Sequence, residues 1–215
     1  MYGLPISTER KQQLPKKAIY AKFDLTTAQR ESFDADVARI DIVAVVSSAT
    51  IPALSEGVEV KEFYVLDVQM KRRKYDAKNI LLLTRLIAQK MVFALRYEDQ
   101  VQFAIFHTKL FTTAWQPVEQ ATLPLSGLNL DAVRENIVKV IGHIEVTDGQ
   151  TLTEQIADND QRSKLLAQIA TLERKMANEK QPRRKREYFE QIKKLKEHNG
   201  ENILIQSLQK DFASH

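Results

Sequence analysis

Residues 58–75 read VEVKEFYVLDVQMKRRKY, an alternating stretch that ends in four consecutive cations. Successive side chains of a β-strand point to opposite faces of its sheet. One face would carry the mostly apolar even-numbered residues Val58, Val60, Tyr64, Leu66, Val68 and Met70. The other face changes from apolar to polar at Asp67, Gln69 and Lys71. This polar end is the most function-like feature of the sequence, and the rest of the chain is interpreted around it.

Helix and strand signals alternate around this stretch. Residues 40–46, IDIVAVV, predict a buried strand, and residues 92–96 and 101–107 predict a hairpin. Helix caps are predicted at Thr26, Asp76 and Asn129. Weaker patterns predict short strands at 49–54 and 122–125, whereas residues 1–20 look irregular. The order predicts an α/β fold, with a mixed β-sheet flanked by helices, and it resembles the element order of restriction endonucleases.

The C-terminal third has the pattern of a helical hairpin. Thr151 opens a capping box, and Pro182 fits the first turn of a second helix. Apolar residues recur at alternating spacings of four and three, as in a coiled-coil seam: Leu165, Ile169, Leu172, Met176, Tyr188, Ile192 and Leu195. The three expected parts are an α/β domain at 1–145, a basic hairpin at 146–200 ended by Gly200, and a C-terminal tail at 201–215 that folds back. A homodimer through the hairpin is an alternative use of the seam.

Composition limits the classes of function. The chain has 215 residues, of which 43% are hydrophobic and 28% charged, as in soluble globular proteins. No apolar run approaches the ~20 residues of a membrane span, so no membrane partner is expected. The N-terminal residues lack the apolar core of a signal peptide, which favours a cytoplasmic location. The absence of cysteine excludes disulfides and thiolate chemistry, and no phosphate loop, dinucleotide fingerprint or zinc motif is present.

Positive charge is concentrated near the C-terminus. Residues 161–198 contain twelve Lys and Arg against five Glu, a local charge of +7, which leaves −3 for the rest of a chain of net charge +4. Two cation clusters are candidate nucleic-acid-binding residues: Lys71, Arg72, Arg73 and Lys74, and Arg183, Arg184, Lys185 and Arg186. Such clusters could bind DNA phosphates, although solvated surface charge explains them equally well. Arginines at a helix N-terminus oppose the helix dipole, which favours an external anion for the second cluster.

Two carboxylates and two other polar side chains form a candidate catalytic set. The order of helix, three strands, helix and strand resembles the PD-(D/E)xK nuclease superfamily, in which an Asp on one strand and an acidic-x-Lys motif on the next hold Mg²⁺. This resemblance implies metal binding by Asp41 and Asp67, orientation of water by Gln69 and charge stabilisation by Lys71. Gln69 stands where the motif has Lys, which is a departure from the family. The alternative is a pair of structural carboxylates with no cofactor.

A second resemblance covers more of the chain. The sequence resembles a bacterial domain-of-unknown-function family, number 4391, closely over about residues 13–142 and more loosely over the hairpin. The phrases that carry it are PKKAIYAKFDLT, ARIDIV, VKEFYVLDVQMKRRKYDAKNI, ALRYEDQVQFAIFHTKLF, WQPVE and LNLDAVRENIV. Its members accompany DNA methyltransferases and helicases of restriction-type phage defence. The resemblance therefore implies an accessory, DNA-associated role with such subunits as partners. The alternatives are a Mg²⁺-dependent nuclease and a purely structural interaction subunit.

Overall fold

A computed structural model describes the backbone of residues 1–147 and 149–213, and the side chains of residues 1–147 and 149–197. The chain divides into two compact units, Met1–Ile144 and Glu145–His215. The first unit contains a mixed β-sheet with four α-helices, and the second contains two long helices. The α/β class predicted from the sequence is therefore confirmed.

The sheet of the first unit has seven strands in its described residues. They are β1 (Glu9–Gln13), β2 (Val37–Ser47), β3 (Glu62–Met70), β4 (Lys90–Tyr97), β5 (Gln100–Phe106), β6 (Leu110–Thr112) and β7 (Gln116–Pro117). The strand order is β1-β2-β3-β4-β5-β6, with β7 paired to β5. Only β3 and β4 are parallel among these pairs, because a helical crossover connects them whereas hairpins and other reversals connect the rest.

Helices cover both faces of this sheet. They are α1 (Lys16–Lys22), α2 (Thr27–Asp36), α3 (Ala77–Leu83) and α4 (Leu130–Gly142). The first three contribute fully buried side chains to one core, in which Phe33 and Ile80 pack with Leu66 and Val68 of β3. Helix α4 packs against β5 and β6. The predicted caps are confirmed: the side chains of Thr26, Asp76 and Asn129 accept hydrogen bonds from the backbone N–H groups of Gln29, Lys78 and Ala132.

Several predictions for the first unit are wrong. Residues 1–20 contain β1 and most of α1. Strand β1 was missed because it is exposed and polar throughout and so shows no alternating pattern. Strand β3 begins at Glu62, and Val58 is 91% exposed in the preceding loop. Residues 49–54 and 122–125 form turns and irregular segments, since Pro52 and Pro124 lack the N–H that a strand ladder uses.

The second unit is a helical hairpin of α5 (Leu152–Asn178) and α6 (Pro182–Ala213). The predicted seam is confirmed, because Ile169 and Ile192 are buried and the other five seam residues are partly buried. Lys196 of α6 lies 2.9 Å from Glu173 of α5. The predicted end at Gly200 is wrong: glycine in a helix interior costs only about 1 kcal/mol relative to alanine, and the helix continues to Ala213. The predicted folding back of the tail involves side chains outside the described residues.

Within the part of the chain that the structure describes, every helix is too short or too polar to cross a membrane.

Candidate functional site

Two carboxylates lie opposite each other on neighbouring strands of the sheet. Asp41 of β2 is paired in register with Asp67 of β3 across an antiparallel ladder. Side chains directly opposite in such a ladder share a face, with Cβ atoms about 5 Å apart. The sheet therefore brings together the two residues that the sequence predicted as metal ligands, although their role stays a prediction.

Asp67 is the more buried of the two, with 2% of its surface exposed. Its Oδ2 accepts a hydrogen bond of 2.8 Å from the hydroxyl of Tyr2. Its Oδ1 lies 3.4 Å from Nε of Arg96 but has no hydrogen-bond partner in the described residues. Burial, and more weakly the charge of Asp41, raise the pKa of Asp67, while Tyr2 and Arg96 offset part of this shift.

Asp41 is held by an arginine of its own strand. Arg39 lies two residues earlier on the same face, and its Nε and Nη2 donate to Oδ1 of Asp41 at 3.0 and 2.9 Å. The same Nε is 2.7 Å from Oδ2. Each aspartate therefore has an arginine beside it, Arg39 for Asp41 and Arg96 for Asp67. The four side chains form two adjacent ion pairs, and neither carboxylate is left without a cation.

Tyr2 reaches Asp67 from an unusual backbone conformation. Its φ is 53°, and the following Gly3 has φ 69°. A non-glycine residue in the left-handed region is uncommon, and such strain persists only where surrounding contacts hold it. Here Tyr2 accepts a backbone hydrogen bond from Leu123 at 3.0 Å, and its ring packs edge-on against Phe103. Burial, followed by the charge and hydrogen bond of Asp67, raises the pKa of Tyr2, so its hydroxyl stays a donor.

The carboxylate pair opens into a cavity of about 300 Å³. Its lining comes from the chain start and four neighbouring strands: Met1, Arg10, Lys11, Gln13, Arg39, Asp41, Ile42, Val43, Asp67 and Arg96. The β1–β2 register shifts between Glu9 and Gln12, and the β2–β3 register shifts between Ile42 and Ala44. Bulges of this kind re-aim side chains and are frequent beside functional sites. Both shifts adjoin the cavity.

The cavity carries excess positive charge. Arg39 and Arg96 lie against the two aspartates, whereas Arg10 and Lys11 have no ion-pair partner among the described residues. The charged side chains of the lining therefore sum to +2. A concave surface of one sign raises the local concentration of oppositely charged ligands. The electrostatics favour an anion.

The other two predicted catalytic residues do not line this cavity. Gln69 is exposed and lies in register between Arg39 and Arg96, which share its side of the sheet. Lys71 follows the end of β3, where its backbone N–H donates to the carbonyl of Asp36. A strand rises about 3.3 Å per residue, so four residues place Lys71 about 13 Å from Asp67. The cations nearest the carboxylates are the two arginines, which the sequence interpretation missed.

The donor set fits a metal ion only in part. No group of three or more His, Cys, Asp or Glu side chains is positioned to hold a metal among the residues with described coordinates. Asp41 and Asp67 would supply two carboxylates, and Mg²⁺ often takes no more than two, completing its shell with water and substrate phosphates. Such an ion would have to displace Arg39 and Arg96 from the carboxylate oxygens.

Comparison with known proteins places the chain in a family. The family model described as Domain of unknown function (DUF4391) matches residues 2–198. The chain belongs to the DUF4391 family. The match spans the cavity and both predicted cation clusters. Neither a curated protein nor a solved structure matches the chain. Since the DUF4391 description names no activity, the functional argument depends on the site itself.

The first cation cluster of this DUF4391 protein is partly used to fold its own loop. Arg72 pairs with Asp36, a fully buried carboxylate whose Oδ2 also accepts from the backbone N–H of Asp76 at 2.8 Å and from Asn79 at 2.7 Å. The guanidinium of Arg73 lies 5.8 Å from the ring centre of Trp115. Arg72 and Arg73 therefore have structural contacts, whereas the side chains of the flanking Lys71 and Lys74 have no hydrogen bond or ion pair among the described residues.

The second cation cluster of the DUF4391 protein faces solvent. Arg183, Arg184, Lys185 and Arg186 are all exposed in the first turns of α6. Among the described side chains, their ion pairing is confined to Arg183 and Glu187, 3.5 Å apart. Exposed i,i+4 pairs of this kind contribute only about 0.3–0.5 kcal/mol. Most of this charge is available to an external ligand.

Proposed function

We propose that this protein is an accessory, DNA-associated member of a bacterial restriction or anti-phage defence system and that it contacts the phosphate backbone. The observation that carries the proposal is the exposed, largely uncompensated cation cluster at residues 183–186. Four consecutive cations near a helix N-terminus repel one another and oppose the dipole, and an external polyanion relieves both effects. The +2 cavity of the first unit gives additional support.

The defence setting is proposed from the DUF4391 resemblance alone. Partners of the expected kind are DNA methyltransferase or helicase subunits. Co-elution of the purified chain with such a subunit encoded beside it, at physiological salt, tests this part. Co-elution only in the presence of DNA would assign the association to shared DNA binding.

DNA binding is tested by the fluorescence anisotropy of a labelled duplex over a series of salt concentrations. The logarithm of the association constant falls with the logarithm of salt by about 0.9 per phosphate contact. Replacing Arg184 and Lys185 by Glu is expected to weaken binding and to reduce the slope by about 2. The matched control replaces Lys17 and Lys78, two exposed lysines of the first unit, and changes the net charge equally. An equal loss of DNA affinity in the two variants would contradict a contact through the hairpin. If the wild-type protein does not bind DNA at low salt, the proposal is wrong.

A metal-dependent nuclease is the second candidate, and the register pairing of Asp41 with Asp67 is the observation that favours it. In this alternative Asp41 and Asp67 would hold Mg²⁺, which would act as a Lewis acid on a substrate phosphate, and Arg39 and Arg96 would turn to the phosphate oxygens. Plasmid cleavage with Mg²⁺ or Mn²⁺ tests it, with Asp67→Asn and a chelator as controls. Cleavage that persists in Asp67→Asn would assign the activity to a contaminant. Binding without cleavage leaves the accessory role.

A further inference from the structure

A second cavity lies at the opposite end of the strands from the carboxylate pair. It has a volume of about 290 Å³ and lies at the start of β4 and the end of β5. Its polar lining consists of Thr84, Gln89, Lys90, His107 and Arg134, and the described part of the wall contains no carboxylate. None of these residues belongs to the predicted cation clusters. The cavity is therefore a separate feature from the proposed DNA contacts.

Arg134 is the unusual residue of this cavity. It is 8% exposed on α4, and no described carboxylate forms an ion pair with it. Its Nη2 donates to the carbonyl of Phe106 at 2.8 Å, but its buried Nε has no described hydrogen-bond partner. Arginine cannot release its proton in a protein, so the charge remains. A buried charge without a counterion is unfavourable, and each unsatisfied donor adds to that penalty.

The protonation state of His107 reflects the positive charge of this cavity. Its Nδ1 is 3.3 Å from Nη1 of Arg134. Because arginine only donates, Nδ1 must accept, which requires a neutral imidazole. Burial, and then the charge of Arg134, lower the pKa of His107 and agree with this state. The charges of Glu59 and Glu135 raise the pKa of His107 and offset part of this shift.

The missing partner has the chemistry of an oxyanion. Arg134 and Lys90 supply two positive charges, and the guanidinium fork matches two oxygens of one phosphate. Glu59, and then Asp131, also act on Arg134 by charge, but neither forms an ion pair with it among the described residues, and Asp131 is already engaged with the backbone N–H groups of residues 58–60. A volume near 300 Å³ is enough for a small ligand. We propose that this cavity is a binding site for a phosphate group, with Arg134 and Lys90 as its principal ligands.

Titration calorimetry of the full chain with inorganic phosphate, at constant ionic strength, tests the site. Saturable binding is expected. Lys90→Gln should weaken it about tenfold, the effect of one lost charge-assisted contact. Arg134→Lys keeps the charge but loses the fork and should weaken it similarly, provided that Trp115 fluorescence shows a folded protein. Lys17→Gln, which removes an equal charge from α1, should leave the affinity unchanged.

The source of the phosphate is decided by a second titration with a short oligonucleotide, with and without a 5′-phosphate. Tighter binding of the phosphorylated strand, lost in Lys90→Gln, identifies the ligand as a nucleic-acid end. Binding of inorganic phosphate with no advantage for that strand identifies a small phosphorylated molecule. Absence of phosphate binding, or equal binding by wild type and Lys90→Gln, would overturn the proposed site.

Discussion

Replacement of Tyr2 by Phe tests the geometry of the carboxylate site most directly. The Tyr2 hydroxyl donates to Oδ2 of Asp67 at 2.8 Å, and both residues are buried. Phe keeps the ring and its edge contact with Phe103. A hydrogen bond to a charged group contributes about 1.5–3 kcal/mol. Since Oδ1 of Asp67 has no hydrogen-bond partner among the described residues, Tyr2→Phe should lower the free energy of unfolding by about 2 kcal/mol at neutral pH.

Urea unfolding followed by the fluorescence of Trp115 provides the assay. Trp115 is the single tryptophan and lies in the first unit, so it reports on the α/β unit. The comparison variant is Tyr75→Phe, which loses a neutral hydrogen bond to Gln102 and should cost about 1 kcal/mol. In an Asp67→Asn background, the effect of Tyr2→Phe should fall to about 1 kcal/mol, because the acceptor is then neutral. The reasoning would be refuted if Tyr2→Phe in the wild-type background lowers the free energy of unfolding by less than about 0.5 kcal/mol while the slope of that free energy against urea concentration stays unchanged.

The pH dependence of the same transition provides an independent measure of Asp67. Its folded pKa is raised by burial above the unfolded value of about 3.9. Between these two values the native state binds more protons than the unfolded chain, so Asp67 makes the free energy of unfolding fall as pH rises. Below this pH range Asp67 does not change the free energy of unfolding, and above it the destabilisation caused by the buried carboxylate is complete. Asp67→Asn should remove this contribution, and identical slopes in the two proteins would contradict the assignment.

Four further outcomes follow from other contacts. Asp36→Ala should cost about 2–3 kcal/mol in urea unfolding, because it removes the buried carboxylate that accepts from Arg72, from the backbone N–H of Asp76 and from Asn79; a cost below about 0.5 kcal/mol would be evidence against this role. Gly57→Ala should cost about 1–3 kcal/mol, since its Cβ would lie 2.3 Å from the Asp131 carboxyl group, and a neutral result would contradict that close approach. Burial raises the pKa of Asp131, but three backbone hydrogen bonds outweigh burial, and the net pKa is lowered. The contribution of Asp131 to the free energy of unfolding should therefore be lost as the pH falls below the ordinary pKa of about 3.9 and through the lowered folded value, and Asp131→Asn should not show this loss. Thr151→Ala should destabilise α5 by about 1 kcal/mol, measured by circular dichroism, and an unchanged helix signal on heating would exclude its capping role.

Local patterns predicted most of the framework. Capping boxes at Thr26 and Thr151, and the seam residues Ile169 and Ile192, were identified because a helix cap or a heptad depends on residues only three or four positions apart. The same is true of β2, whose continuous apolar run reflects burial on both faces. Where the local signal was weak, as in the polar edge strand β1, the prediction failed.

The sequence predicted the two carboxylates of the site but not the residues that surround them. Asp41 and Asp67 were found because each stands out within its own strand, and pairing of the two strands brought them together. Arg39 could have been found by the same period of two that places it on the face of Asp41. Tyr2 and Arg96 could not, because each reaches Asp67 through long-range packing that no local spacing encodes. Lys71 does not line the cavity, since β3 ends one residue before it.

The placement of Asp67 conflicts with what stability alone would select. An apolar side chain at this position would avoid the burial of a carboxylate, the unsatisfied Oδ1 and the strained backbone of Tyr2. Replacing buried ionic groups by well-packed apolar residues is often neutral or stabilising. Local choices that disagree with the fold are concentrated at functional sites, and here three of them converge on Asp67, which lines a cavity beside two bulged strands. The carboxylate pair is therefore the stronger candidate for a reactive site, and the exposed cation clusters are candidates for binding alone, because solvent exposure makes surface charge inexpensive to keep.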